Sequence, residues 1–141
     1  MTILDELTSF LEESADVPLV WGQSDCTAWS AAWVERATGC RIVMPEWSSR
    51  DEAMEYIAGA GSLANLWSDI IDDDDSGVLM DGHGEPSAGD VGIIETHLAG
   101  QVGGVFLNHR NFAWRGDAGG FRIIRPRLHT IVKFWRLQCA S

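Results

Sequence analysis

The fold is decided by residues 18–39, which read PLVWGQSDCTAWSAAWVERATG. From Cys26 onward the apolar residues of this stretch recur at helical spacing. Ser24 or Asp25 can cap the start of such a helix, and a glycine stands where it would end. The stretch therefore predicts a helix over residues 25–38 that carries a cysteine in its first turn.

The rest of the chain divides into helices before strands. Periodic apolar residues and capping patterns predict three further helices, over residues 3–14, 50–59 and 62–71. After Gly89, runs of β-branched and aromatic residues separated by Gly or Asn predict five strands: DVGIIET, QVGGVFLN, NFAWRG, GFRIIRP and TIVKFWRL. Such an order predicts an α+β fold in which an antiparallel sheet of about five strands packs on the cysteine helix. The acidic, glycine-rich segment 72–90 is predicted to be a surface loop.

The length, net charge and cysteine count of the chain limit its number of domains and the classes of partner and cofactor that it can have. At 141 residues the chain is predicted to be one domain, residues 1–141. Ten Lys and Arg against 21 Asp and Glu give a net charge of −11, which disfavours binding to a phosphate backbone, so we expect no nucleic-acid partner. The three cysteines lack the spacing of metal ligands, and neither a disulfide framework, a metal nor an organic cofactor is indicated.

The N-terminal residues MTILDELTSFLEESAD lack the basic and apolar regions of a signal peptide. No run of the sequence reaches the roughly 18 apolar residues that cross a bilayer. We therefore expect synthesis in the host cytoplasm without a signal peptide, and no membrane span.

Cys26 stands at the predicted helix start, where unpaired N–H groups and the helix dipole favour a thiolate over a thiol. Such a position can lower the pKa of a cysteine and make it a nucleophile for acyl transfer. Acyl transfer also needs a base near the thiol and donors for the oxyanion. Spacing alone leaves open the alternative that Cys26 is a small buried apolar residue.

The segment PLVWGQSDCTAWSAAWV resembles the nucleophile segment of the NlpC-type, papain-like cell-wall cysteine peptidases. Trp21, Gly22, Asp25 and Cys26 match that pattern, and Thr27 stands where the family carries Ser. The word SAGDVGII resembles the next landmark of the family, a Gly-Asp pair that opens the first strand of the sheet. The similarity extends over residues 18–125. It implies a papain-like fold with the cysteine helix packed on the sheet.

The resemblance also implies positions for the catalytic partners of Cys26. Active members open the second strand with His, but the matching word here is QVGGVFLN, so Gln101 occupies the expected position of the base. Trp114 stands where a polar residue would orient the imidazole. Because Gln cannot accept a proton near neutral pH, His97 is the tentative base. The residues expected to contact substrate are Trp21, Gln23 and Asp25.

More closely, the chain resembles short single-domain members that phages and prophages carry beside tail genes, with a terminal strand like KFWRL. This resemblance implies a virion protein of the tail tip, docked on hub or baseplate-like proteins. Its activity would be cleavage of peptide bonds in peptidoglycan during infection, with Cys26 as the nucleophile and its backbone N–H as an oxyanion donor.

Two alternatives belong to other classes. In the first, the domain has lost its base and serves as a structural or binding component of the tail tip, with its tryptophans and acidic face docking onto neighbours. In the second, the chain is a cytosolic thiol acyltransferase or amidase with a small acyl donor. The first differs from the peptidase in one observable, namely whether an imidazole lies within hydrogen-bond reach of the Cys26 sulfur.

Overall fold

The computed structural model describes residues 2–116 and 119–138. Within these residues the chain forms four α-helices followed by a sheet of six strands. The helices are α1 (Ile3–Ser14), α2 (Cys26–Thr38), α3 (Arg50–Ala60) and α4 (Leu63–Asp72). The strands are β1 (Leu79–Asp81), β2 (Val91–Thr96), β3 (Gly100–Phe106), β4 (Phe112–Trp114), β5 (Arg122–Ile124) and β6 (Ile131–Leu137), with a 3-10 turn at Leu128–Thr130.

The α+β class and the four helices are therefore confirmed, and the helix predicted over 25–38 begins one residue later, at Cys26, which lies in the first turn as predicted. Asp25 is its N-cap, and Gly39 ends it in a left-handed conformation. The helix predicted at 50–59 begins after Ser49, whose side chain accepts a hydrogen bond from the backbone N–H of Glu52.

The sheet has one more strand than predicted. Its order is β1-β6-β2-β3-β4-β5, and all neighbours are antiparallel. The additional strand, β1, lies inside the segment 72–90 that was predicted to be a loop, where Leu79 pairs with Leu137 of β6. The prediction was wrong here because acidic residues and glycines flank only two buried apolar residues, Val78 and Leu79.

The main core lies between the helices and one face of the sheet. Helices α1, α2 and α4 contribute large side chains to it, among them Leu7, Trp33 and Trp67, and the sheet contributes Val105 and Trp135. A second cluster fills the other face of the sheet, with Ile94, Val102, Phe106, Phe112 and Phe134. Both faces of the central strands are buried, and α2 packs over β3 on the face that forms the main core.

Asp90 joins the two ends of the sheet-forming segment. Its carboxylate accepts hydrogen bonds from the backbone N–H groups of Ser87 and Leu137 at 2.8 and 3.0 Å, and Arg136 lies 3.4 Å away. Asp90 therefore ties the loop before β2 to the end of β6. Within the described residues, no helix has both the length and the apolar character required to cross a membrane.

Candidate functional site

Asp25 fixes the turn that presents Cys26. It is 1% exposed, and its Oδ1 accepts hydrogen bonds from the N–H groups of Thr27 and Ala28, each at 3.1 Å. Its Oδ2 accepts from the N–H of Gly22 at 2.6 Å and from the indole of Trp47 at 2.9 Å. Four protein donors therefore occupy this carboxylate. The structure shows Asp25 in the capping role, and the contact with substrate that was expected of it stays a prediction.

Arg115 supports the same turn from the other side. It is 3% exposed and donates hydrogen bonds to five backbone carbonyls, those of Ser14, Val17, Pro18, Ser24 and Gly120. The guanidinium thus ties the end of β4 to the chain before Cys26. Sequence reasoning missed this residue because four of its five acceptors lie more than 90 positions away and are backbone atoms, which no spacing reveals.

The thiol of Cys26 faces β3. Its sulfur lies 4.0 Å from the hydroxyl of Thr27 and close to the backbone N–H of Gly103. Burial raises the pKa of Cys26 above its ordinary value, and the carboxylate of Asp25 acts in the same direction. Hydrogen bonds from Gly103 and Thr27 act against this shift without reversing it. The direction of the shift is therefore opposite to the lowered pKa of Cys26 that the helix end predicts.

Trp67 of α4 holds the surroundings of the thiol in place. Its indole N–H donates a hydrogen bond to the hydroxyl of Thr27 at 2.9 Å. Its ring packs so closely on Gly103 that a Cβ there would lie 2.3 Å from the ring. A side chain at position 103 would displace the ring and, with it, the partner of Thr27. The position of β3 against the start of α2 thus depends on the absence of a side chain at Gly103.

A cavity of about 570 Å³ opens in front of Cys26. Three tryptophans, Trp21, Trp47 and Trp114, contribute to its wall. The other lining groups include Gln101 and three arginines, Arg50, Arg115 and Arg122. Among the lining residues that the structure describes, Asp25 is the only acid.

Gln101 lies in this cavity, on the same face of β3 as Gly103. Its side-chain oxygen accepts a hydrogen bond from the backbone N–H of Ala64 at 3.0 Å. The residue at the expected position of the base is therefore engaged with the first turn of α4. A neutral amide in this place cannot remove the proton from Cys26.

His97, the tentative base, lies in the turn between β2 and β3 and is exposed. It neither lines the cavity at Cys26 nor hydrogen-bonds to the thiol. The other three histidines, His83, His109 and His129, are exposed as well and lie outside the cavity. Across residues 2–116 and 119–138, no imidazole is a hydrogen-bond partner of Cys26.

The remaining expected site residues lie on two different surfaces. Trp21 is half-buried and separates the Cys26 cavity from a second groove of about 910 Å³ that runs between α2 and residues 41–48. Gln23 is exposed and lines only this second groove. The structure therefore brings Trp21 next to Cys26 but not Gln23.

Most tryptophans are internal. Five of the seven are buried, namely Trp29, Trp33, Trp47, Trp67 and Trp135, and only Trp21 and Trp114 are half-buried. The expectation that the tryptophans as a group serve as docking anchors is therefore wrong, because most of their area fills the cores. The indole nitrogen of Trp114 is buried without a hydrogen-bond partner among the described residues.

Comparison with known proteins gives a family and no activity. No curated protein matches the chain. One family model does match, that of a domain of unknown function, DUF6950, and it aligns with residues 3–137. The match includes all four helices, the six strands and every residue of the Cys26 cavity. The chain therefore belongs to the DUF6950 family.

Proposed function

We propose that this chain is an NlpC-type, papain-like domain of a phage tail tip that binds peptidoglycan peptides at the Cys26 cavity without cleaving them. One observation is the main argument that the chain does not cleave these peptides. The position expected for the base holds Gln101, whose amide oxygen is bonded to the N–H of Ala64. The Cys26 thiol, in the same cavity, has a raised pKa and no imidazole partner among the described residues.

The requirements of acyl transfer explain why this combination is inactive. The nucleophile is the thiolate, and a protonated thiol attacks a peptide carbonyl poorly unless a base removes its proton. Such a base has to lie within hydrogen-bond reach, directly or through one water. Gln101 stands at the position expected for the base, but its amide cannot accept a proton. His97 can accept a proton, but it lies in an exposed turn outside the cavity.

The cavity itself supports a binding role. It is about 570 Å³, a volume in the range of small-ligand sites, and combines aromatic walls with a few charged groups. The supports of the site are intact, since Asp25 and Arg115 hold the turn before α2 with nine hydrogen bonds in all. The position in a tail tip rests on the resemblance of the sequence to tail-associated members of the NlpC-type group.

Hydrolysis is a second candidate, favoured by the position of Cys26. It is the first residue of α2, it lines the cavity, and the N–H of Gly103 lies beside its sulfur. These are two of the components that a cysteine peptidase needs, a nucleophile at a helix start and a nearby backbone donor.

Purified peptidoglycan distinguishes the two. The protein is incubated with insoluble sacculi, the sacculi are sedimented, and protein in the pellet and soluble peptides in the supernatant are both measured. Our proposal expects protein in the pellet and no released peptide. Release by the wild type that is absent with Cys26→Ala would establish hydrolysis instead. Absence of the protein from the pellet, together with no release, would contradict both functions.

A further inference from the structure

Among the residues that the structure describes, the lining of the Cys26 cavity carries more basic than acidic side chains, although the net charge of the protein is −11. Arg50, Arg115 and Arg122 line it, and Asp25, the one acid among its described lining residues, already accepts four hydrogen bonds from the protein. Arg115 is likewise committed, since its donors are bound to backbone carbonyls. Two guanidinium groups therefore remain to act on a ligand, those of Arg50 and Arg122.

These two arginines are exposed, and neither forms an ion pair within the described residues. They come from different elements: Arg50 begins α3, and Arg122 begins β5. The guanidinium of Arg122 lies over the ring of Trp114, 6.0 Å from its centroid, a contact that orients the charged group. The indole N–H of Trp114 is buried and has no acceptor among the described residues, so its NMR signal reports on the ring beneath Arg122.

We infer that Arg50 and Arg122 bind a carboxylate of the ligand in the Cys26 cavity, while the tryptophan rings pack against its apolar part. The arginine fork suits a carboxylate because it presents paired N–H donors to the two oxygens. This inference rests on the proposed function only in taking the cavity as the binding site. It specifies the chemical group that is recognised and the residues that discriminate an acid from its amide.

The test uses two thiol reagents of nearly equal size, iodoacetate and iodoacetamide, which differ in one charge. Alkylation rates at Cys26 are measured by peptide mass spectrometry at about pH 9, where thiols ionise. A bound carboxylate raises the rate with iodoacetate relative to iodoacetamide. The ratio of the two rates cancels any change in the pKa of Cys26, because both reagents need the same thiolate. Cys40, which does not line the cavity, serves as the reference in the same chain.

We expect the ratio at Cys26 to exceed that at Cys40 and to fall about threefold for each of Arg50→Gln and Arg122→Gln, the scale of an exposed charge pair. Salt at about 0.5 M should reduce the ratio, since it screens exposed charges. The matched control is Arg125→Gln, which removes an exposed charge three residues from Arg122 and outside the cavity. A ratio at Cys26 that equals the ratio at Cys40 and ignores both substitutions would overturn the inference.

A binding measurement covers the case in which Cys26 reacts with neither reagent. The indole N–H signals are followed by NMR during titration with N-acetylphenylalanine and with its amide, and the Trp114 signal is identified from Trp114→Phe. We expect a saturable shift of that signal with the acid only, weakened in the Arg50→Gln, Arg122→Gln double variant. Equal shifts with acid and amide, or no shift with either, would overturn carboxylate recognition. Neither outcome depends on whether the protein sediments with peptidoglycan, so the two proposals fail separately.

Discussion

The side-chain oxygen of Gln101 accepts a hydrogen bond from the backbone N–H of Ala64 across 3.0 Å. Ala64 is the second residue of α4, and the N–H groups of a first helical turn have no partner inside the helix. Gln101 therefore satisfies a donor of α4 and joins that helix to β3. The same residue stands where the resemblance to cysteine peptidases expects the base, and under our proposal its contact with α4 is structural.

Gln101→His tests whether the base alone is missing. An imidazole here would lie two residues from Gly103, whose N–H is beside the thiol, and its positive form would stabilise the thiolate. We expect iodoacetamide to modify Cys26 at neutral pH about tenfold faster than in the wild type, the effect of one pKa unit. Gln101→Ala, which loses the contact to Ala64 without gaining a base, should show no such acceleration. Equal rates in all three proteins would show that position 101 does not act on the thiol.

The wild-type thiol should react only at alkaline pH. Because burial raises the pKa of Cys26, the folded protein favours the neutral thiol. The resulting contribution to stability is fully present below the ordinary pKa of a thiol and is lost as the pH rises through the raised value. We expect the alkylation rate of Cys26 to reach half its maximum above the midpoint found for the same residue in urea-unfolded protein. A lower midpoint in the folded protein would revive the activated nucleophile that the helix start predicts.

Asp25→Ala should be strongly destabilising. Substitution removes the acceptor of four donors, three on the buried residues Thr27, Ala28 and Trp47 and one on the exposed Gly22. Loss of a helix cap together with unpaired buried donors predicts a fall in the free energy of unfolding of about 3–5 kcal/mol. The matched control is Ser49→Ala at the cap of α3, where one hydrogen bond is lost and about 1 kcal/mol is expected. Urea denaturation measures both, and equal losses would contradict the role given to Asp25.

Gly103→Ala tests the close contact between β3 and α4. An added Cβ would meet the ring of Trp67 at 2.3 Å, too close for any real contact, so the ring or the strand has to move. We expect a loss of about 1–3 kcal/mol in the free energy of unfolding, as for other overpacked cores. The control is Gly59→Ala in α3, where a Cβ meets nothing within 4 Å and a gain of about 0.5 kcal/mol is expected. If the two substitutions had the same effect, the contact with Trp67 would not be the cause.

The local parts of this structure could be predicted from the sequence, whereas the distant contacts could not. The start of α2 follows from Asp25 and the spacing after Cys26, since a cap and a periodic face are encoded within one or two turns. Strand β1 was missed because it is short and lies in an acidic segment, and only its partner in β6 makes it a strand. Arg115 could not be found at all, because it acts through backbone carbonyls that carry no sequence signal.

The candidate site also has features that the sequence predicted and features that it did not. The position of Cys26 at the start of α2 was predicted. The sequence also showed Gln101 where the resemblance expects the base, because the predicted strand QVGGVFLN begins with this residue. The direction of the pKa shift was not predicted, since it depends on burial against β3 more than on the helix end. The cationic character of the cavity was hidden as well, because Arg50 and Arg122 are 72 positions apart in an acidic chain.

The tail-tip proposal predicts where the protein is found after infection. With five tryptophans buried, docking would depend less on aromatic anchors and more on the acidic surplus of −11, which favours a partner with a basic surface. We expect the chain to co-sediment with intact particles in a density gradient and to be released by washing at about 0.5 M salt, because salt screens exposed charge pairs. A cytosolic protein of the same lysate, probed in the same fractions, controls for trapping.

Recovery of the chain in the soluble lysate alone, with none on intact tails, would contradict the tail location and favour an acyltransferase or amidase in the cytosol. Release of the chain at low salt as well would contradict charge-based docking while leaving the binding role of the Cys26 cavity to its own test.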